Sequence, residues 1–271
     1  MKQDIKLHDK NKEFSWSVPS GPYHFFSDQE VKSFNDLGYV VVEDAFSAEE
    51  VNEVIEHIDP YEFNVTEALK GLDGGKFFIS RAEEITFTTH LVTQSDVLKE
   101  FSRHDVFSSI CGDLIGPDVR LYWDQAVYKK PGTKDEFPWH QDNGYTFIEP
   151  QAYLTCWVAL TDTDETNGCP CVVPGLHKRG TLHHENTELG YQIPLDSSES
   201  ITLPLKAGSI AIFSSLTPHR TGPNLSEGIR KSYILQYAPE GSKRLVSDSK
   251  SEEVNDETRQ FLILRDGKRV N

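Results

Sequence analysis

The chain has 271 residues, 37% of them hydrophobic, and its 43 acidic and 27 basic side chains leave a formal charge of -16. That length suffices for a sizeable core and suits one β-rich domain, so residues 1–271 are expected to form a single domain. The acidic balance supplies no basic surface to neutralise phosphates, which argues against nucleic acid and membrane as partners and for a soluble protein.

The N-terminus, Met1-Lys2-Gln3-Asp4-Ile5-Lys6, is charged and has no apolar signal-peptide core, and no run approaches the length of a transmembrane helix. Cys111, Cys156, Cys169 and Cys171 read as free thiols. The expected location is the cytoplasm. Residues 1–26 are polar and aromatic by turns, broken by Pro19, Gly21 and Pro22, and read as an arm on the domain. Ser27-Asp28-Gln29-Glu30 fits a capping box and Gly38 a stop, which predicts a helix over 28–37. A short β-branched run follows at Tyr39-Val40-Val41-Val42. Ser47 to Glu50 repeats the capping signature ahead of Val51, Val54, Ile55 and Ile58 at helical spacing. Over 60–90 the glycines Gly71, Gly74 and Gly75 predict a loop and the Phe77 and Phe87 regions short strands, while 95–111 carries two further short helices.

From Val119 the pattern becomes short strands between turns, over 119–130, 137–142, 154–161, 171–174, 201–203, 209–213, 219–221 and 231–238. Eight such segments are what a jelly roll requires. The expected layout is an arm and helices over about 1–117, a core over about 118–240, and an extension over about 241–271, with 239–253 an exposed connection.

Within that core, Trp139-His140-Gln141-Asp142 ends a strand. Alternation puts His140 and Asp142 on one face, offering an imidazole and a hard carboxylate to a metal. One more histidine completes the two-His-one-carboxylate arrangement that holds Fe(II) with positions open, and His219 stands just beyond the strand at Ile210 to Phe213. Arg230 follows, where a planar guanidinium suits the far carboxylate of a chelating dicarboxylate. His177 and the pair His183-His184 read as structural or surface residues.

In these ordered motifs the sequence resembles the phytanoyl-CoA dioxygenase family of Fe(II)- and 2-oxoglutarate-dependent oxygenases. The matching stretches are Tyr128-Lys129-Lys130-Pro131, Trp139 to Asp142, Thr155 to Leu160, Asn167-Gly168-Cys169, Val173 to Lys178, and His219-Arg220-Thr221 with Arg230. The resemblance implies a double-stranded β-helix, the cupin-like jelly roll, with flanking N-terminal helices. It implies that His140, Asp142 and His219 bind Fe(II), that Arg230 pairs with 2-oxoglutarate, and that Trp157 lines the cosubstrate pocket. Tyr128, sharing parity with Ala126 and Asp124, and Thr221 are further cosubstrate candidates. The family's halogenating relatives carry a small residue at the carboxylate position, so Asp142 favours hydroxylation, with consumption of O2 and release of succinate and carbon dioxide. Asn143, Tyr145 and Phe147 are expected near the substrate, a small amphipathic molecule, with Lys76, Phe77 and Arg81 as a lid. Two alternatives stay open: a metal-free cupin-like binding module, and a metal-dependent oxygenase that does not use 2-oxoglutarate.

Overall fold

Ser27 and Ser47 open two N-terminal helices by one device. Each serine hydroxyl accepts from the backbone N–H of the glutamate three residues on, and that glutamate's carboxylate accepts from the serine N–H, satisfying two otherwise orphaned donors. The computed structural model describes residues 5–195, 198–247 and 249–270; the first four residues of the expected arm lie outside them. Helix α1 spans Asp28–Leu37 and α2 spans Ala48–Lys70. The loop expected at Gly71, Gly74 and Gly75 follows the end of α2, but the helix itself runs further than the spacing of Val51 to Ile58 indicates. The helix continues through Pro60 because its next turns are held from outside: the buried Glu62 carboxylate accepts from the hydroxyls of Thr66 and Thr86 and pairs with Lys130. Helices α3 (Asp96–Phe101) and α4 (Asp105–Leu114) fall where the apolar spacing puts them.

These helices cover one face of a large antiparallel sheet. From one edge inward its strands are Tyr39–Val42, Ile210–Ser214, Leu154–Ala159, Arg230–Pro239, Val119–Lys129 and Ile85–Thr89, continued by the short hairpin Lys76–Phe77 with Ser80–Arg81. A second sheet lies opposite, ordered Ile201–Thr202, Pro170–Val172, His219–Thr221 and Phe137–His140. The two sheets form the jelly roll, and they divide the side chains of the central strands by parity. Ala126, Tyr128, Cys156, Val158, Tyr233 and Leu235 enter the core shared with the helices. Val127, Trp157, Ala159 and Ile234 face inward with Val172 of the second sheet. Residues 239–253 are not a plain connection: Lys243–Ser247 and Lys250–Glu253 pair as a hairpin against Ile148–Glu149. The carboxyl-terminal strand Leu262–Arg265 adds to Val119–Lys129. No helix among the described residues is long and apolar enough to cross a membrane.

Gly38 shows how tightly α1 is fitted to this frame. It ends the helix at φ +85°, donating its N–H to the Phe34 carbonyl, and a Cβ there would come within 2.4 Å of His177 Nδ1 and 2.6 Å of Thr217 Oγ1. His177 is fully buried beside it, edge-on to Trp16 of the arm, with Nε2 donating to the Asn35 carbonyl. Its role is structural. Burial pushes the imidazole down to about 4. The unfolded chain, with an ordinary histidine value of about 6.5, therefore takes up this proton first, so the contribution to stability is complete above pH ~6.5 and is lost as pH falls toward 4. Urea unfolding of the wild type should weaken between pH 6.5 and 4.5 more steeply than that of His177→Gln, by on the order of 2 kcal/mol; equal slopes would place the titrating group elsewhere.

Candidate active site

The inner face of the second sheet brings His140 and His219 directly opposite each other as antiparallel partners. Their rings lie 4.1 Å apart between centroids. Each imidazole is oriented in the same way, its Nδ1 donating to the carbonyl two residues upstream, Pro138 at 2.8 Å and Thr217 at 3.0 Å. That fixes the tautomer and leaves both Nε2 lone pairs facing Asp142, whose Oδ1 is 3.8 Å from each. The three ligand atoms lie within 4.8 Å of one another, the only such group of three among the described residues. Alternation places Asp142 as expected: Gln141 is still extended, with φ -112° and ψ 141°, so His140 and Asp142 share a face, and a single helical turn, Asp142–Tyr145, begins only after it.

Burial shapes the charges of this cluster. Desolvation lowers His140 to about 3 and His219 to about 4, so both imidazoles are neutral and able to ligate at any ordinary pH. It also raises the Asp142 carboxyl, against the opposing pull of His140 and of the Thr155 hydroxyl, which donates to Oδ2. Gln236 donates in turn to Thr155 Oγ1. Gln141 points away from the cluster and ties the ligand strand down, donating to the Gly180 and Leu216 carbonyls and accepting from Leu182 N–H. His184 accepts from the Gln141 N–H at 2.9 Å, a structural bond and not a fourth ligand.

One cavity touches the cluster and Thr221 on the histidines' own sheet, and then Trp157 and Arg230 of the facing sheet. Arg230 is only 1% exposed and sits over the Trp157 ring at 5.3 Å. Its Nη1 donates to Ser232 Oγ at 2.8 Å, while Nε and Nη2, the edge suited to a bidentate carboxylate, have no partner. Burial lowers the guanidinium only to about 10, so it keeps its charge. An orphaned, buried, charged donor edge is the mark of an absent anion. The donor set thus fits both groups: two neutral imidazoles and a carboxylate for Fe(II), and a free guanidinium edge for a carboxylate.

Three of the expected residues lie elsewhere. Tyr128 is on the helix-facing side of its strand, its hydroxyl donating to Asp59 of α2 at 2.7 Å. Its parity with Ala126 and Asp124 is as read, but that parity faces outward. Asn143 is fully buried in the ligand turn, donating to Thr181 Oγ1 and accepting from Ile148 N–H. Phe147 packs against His8 of the arm. Asn143 lies within the helical turn and Phe147 just past it, so neither continues the strand. Tyr145 alone of that trio is beside the cluster, edge-on to His140 at 5.3 Å and stacked on Phe137. Of the expected lid, Lys76 and Phe77 are exposed on their hairpin and Arg81 pairs with Glu84 and Asp135. The hairpin does reach the site: at Gly190, where φ is +107°, a Cβ would strike both the Tyr145 hydroxyl and Ile79. Phe87, Gln125, Phe137 and Thr155 also line the cavity and went unread. For Thr155 the signal was present, since it shares parity with Trp157.

The phytanoyl-CoA dioxygenase (PhyH) family signature matches residues 34–232. The chain belongs to the phytanoyl-CoA dioxygenase family. A phytanoyl-CoA dioxygenase of Arabidopsis thaliana is 29% identical over 170 residues, which span 60% of this chain and 60% of the relative. An ectoine dioxygenase of Bordetella bronchiseptica is 27% identical over 239 residues, covering 78% and 75%. Among solved structures, the non-heme alpha-ketoglutarate-dependent carbocyclase SnoK from nogalamycin biosynthesis superposes with a TM-score of 0.67 over 84% of this chain and 91% of its own, at 21% identity, a likeness of fold. As a member of the phytanoyl-CoA dioxygenase family the chain is an iron- and 2-oxoglutarate-dependent dioxygenase, with dioxygen as the second cosubstrate.

In this family member the Thr155 hydroxyl is the bond that orients Asp142. Thr155→Val should weaken Fe(II) binding about 10- to 100-fold in anaerobic competition titration while leaving the fold intact; an unchanged affinity would show that the carboxylate is held without it.

Proposed function

We propose that this enzyme hydroxylates an unactivated C–H bond of a small amphipathic metabolite, with His140, Asp142 and His219 holding the iron and Arg230 holding the far carboxylate of 2-oxoglutarate. The observation that carries the reading is the free Nε and Nη2 edge of Arg230 in the same cavity as the cluster. When bound, the iron and 2-oxoglutarate supply the oxidising chemistry, converting dioxygen and the oxo acid to succinate, carbon dioxide and one oxygen atom inserted into the substrate.

The chain's own residues bind, orient and shield. Trp157 forms a flat wall under the guanidinium, and the Thr221 hydroxyl lies in the same stretch of cavity. Ile85, Phe87, Val127, Phe137, Phe213 and Ile234 give the rest an apolar lining that keeps water from the reacting centre. Gln125 adds a polar contact. Trp123 Nε1 donates to Gln125 Oε1 at 3.2 Å, so the amide nitrogen of Gln125 is left to donate into the cavity. Apart from Arg230, no lysine or arginine is among the described residues lining this cavity, which supports a substrate whose entering part is uncharged. A phosphate-bearing thioester would need basic contacts that the acidic chain does not concentrate here. The Asp142 carboxylate occupies the position that a halide would need, which supports hydroxylation. Four buried, free cysteines suit a reducing compartment, and we assign the protein to the cytoplasm.

Anaerobic titration of Fe(II)-loaded protein with 2-oxoglutarate, followed by the weak visible absorption of the chelate, tests the assignment. Arg230→Met should weaken 2-oxoglutarate binding by roughly 30- to 1000-fold, as expected for removing one partner of a buried charge pair, and leave iron affinity within about twofold. His140→Ala should lose iron itself. Folded, iron-loaded wild type that binds no 2-oxoglutarate would return the protein to the alternatives of a binding module or a different oxygenase.

A further inference from the structure

Arg230 does not stand alone at its end of the cavity. Its antiparallel partner across the strand pair is Lys129, which is 0% exposed. Neither cation has a carboxylate partner among the described residues. Their immediate chain neighbours do: Lys231 pairs with Asp59 and Lys130 with Glu62. Two adjacent buried cations without a counter-ion are costly, first through lost hydration and then through mutual repulsion. Burial and Arg230 together push the Lys129 ammonium down to about 6. A carboxylate entering the cavity relieves both costs.

The contacts of Lys129 show how it would act. Its Nζ lies 2.5 Å from the Gly222 carbonyl and 3.4 Å from both the carbonyl and the hydroxyl of Thr221. In its charged form, which an anion beside it would favour, Nζ can only donate, so Thr221 Oγ1 then accepts from it. The hydroxyl's single proton is then left for another acceptor, and none of the described residues takes it. Thr221 lines the cavity together with Arg230.

We infer that Lys129 is a positioning residue for the cosubstrate: with Arg230 it forms a two-cation site for the carboxylate farthest from the metal, and it acts through Thr221, whose O–H it turns toward that carboxylate. This rests on the assignment of Arg230 above and adds to it a source of selectivity for dicarboxylates over 2-oxo acids that end in a methyl group. It also accounts for a lysine buried on the inner face of a sheet without a counter-ion.

The experiment compares two probes, 2-oxoglutarate and 2-oxopentanoate, by anaerobic chelate titration of Fe(II)-loaded protein. Both have the same chelating end, and only the first has a distal carboxylate. Lys129→Met should weaken 2-oxoglutarate about 10- to 100-fold, the range for losing a charged hydrogen-bond partner, and leave 2-oxopentanoate within about twofold. Thr221→Val should show the same selective loss, and the double variant should be little weaker than the worse single one, because the two act in series. A purely structural lysine would weaken both probes alike, and that result, or an unchanged 2-oxoglutarate affinity, overturns the inference. If Lys129→Met does not fold, Thr221→Val decides by the same ratio of affinities. Wild type that binds neither probe would refute the cosubstrate assignment itself, whereas wild-type binding of 2-oxoglutarate with unselective variants refutes only the role of Lys129.

Discussion

The pairing of His219 with His140 across two antiparallel strands is the constraint on which the site depends. It sets two imidazoles at cross-strand distance, and the backbone carbonyls of Pro138 and Thr217 turn both rings the same way. Everything else is placed relative to that pair. Asp142 joins it from the same face through the extended Gln141, and Thr155, Trp157 and Arg230 meet it from the facing sheet. The working distances are therefore the separation of two packed sheets, about 10 Å in such folds. The helices matter to chemistry because they fix one of those sheets from behind, through Tyr233, Leu235 and Tyr128.

Desolvation runs through the site with opposite results for different groups. It keeps the histidines neutral, which suits ligands, and it raises the Asp142 carboxyl, which a divalent cation would reverse. Toward Arg230 it leaves positive charge without compensation inside the protein. The cavity thus offers a set of electron-pair donors suited to a cation at one end and an unpartnered guanidinium edge suited to an anion at the other. Stability has been given up locally so that binding can recover it, the usual relation between a fold and its site.

Much of this was legible in the sequence where local rules operate. The two capping boxes and Gly38 predicted α1 and the start of α2, and the strand series predicted the jelly roll. That His140, Asp142, His219 and Arg230 would meet at one cavity was readable because metal and carboxylate chemistry restrict residue types so strongly. What failed did so for identifiable reasons. Nearly every residue of Val119–Lys129 is buried, so alternation gave the parity of Tyr128 without saying which face was the cavity. Asn143 and Phe147 were expected near the substrate because they follow the ligands in sequence, but the helical turn there carries them into other packing. The second half of α2 was not read because the buried bonds of Glu62 that carry it join residues far apart in sequence. Lys129 was passed over as an ordinary lysine, since only the strand register shows it beneath the surface beside Arg230.

The arm gives the molecule a consequence in time. Asn11 donates to the carbonyls of Arg179 and Thr181, Leu7 bridges to Leu182, and Thr181 in turn holds Asn143 beside the ligand Asp142. The Asn11–Thr181 bond joins residues 170 positions apart, so the turn carrying Asp142 is secured by one segment of the chain and by another made much later. Loop closure over such separations is entropically slow. The arm must wait, ordered against nothing, until the jelly roll exists to receive it. Completion of the metal centre is accordingly a late event in folding, and a chain caught before the arm has docked would have most of its sheets and helices while the turn carrying Asp142 still lacked its lock.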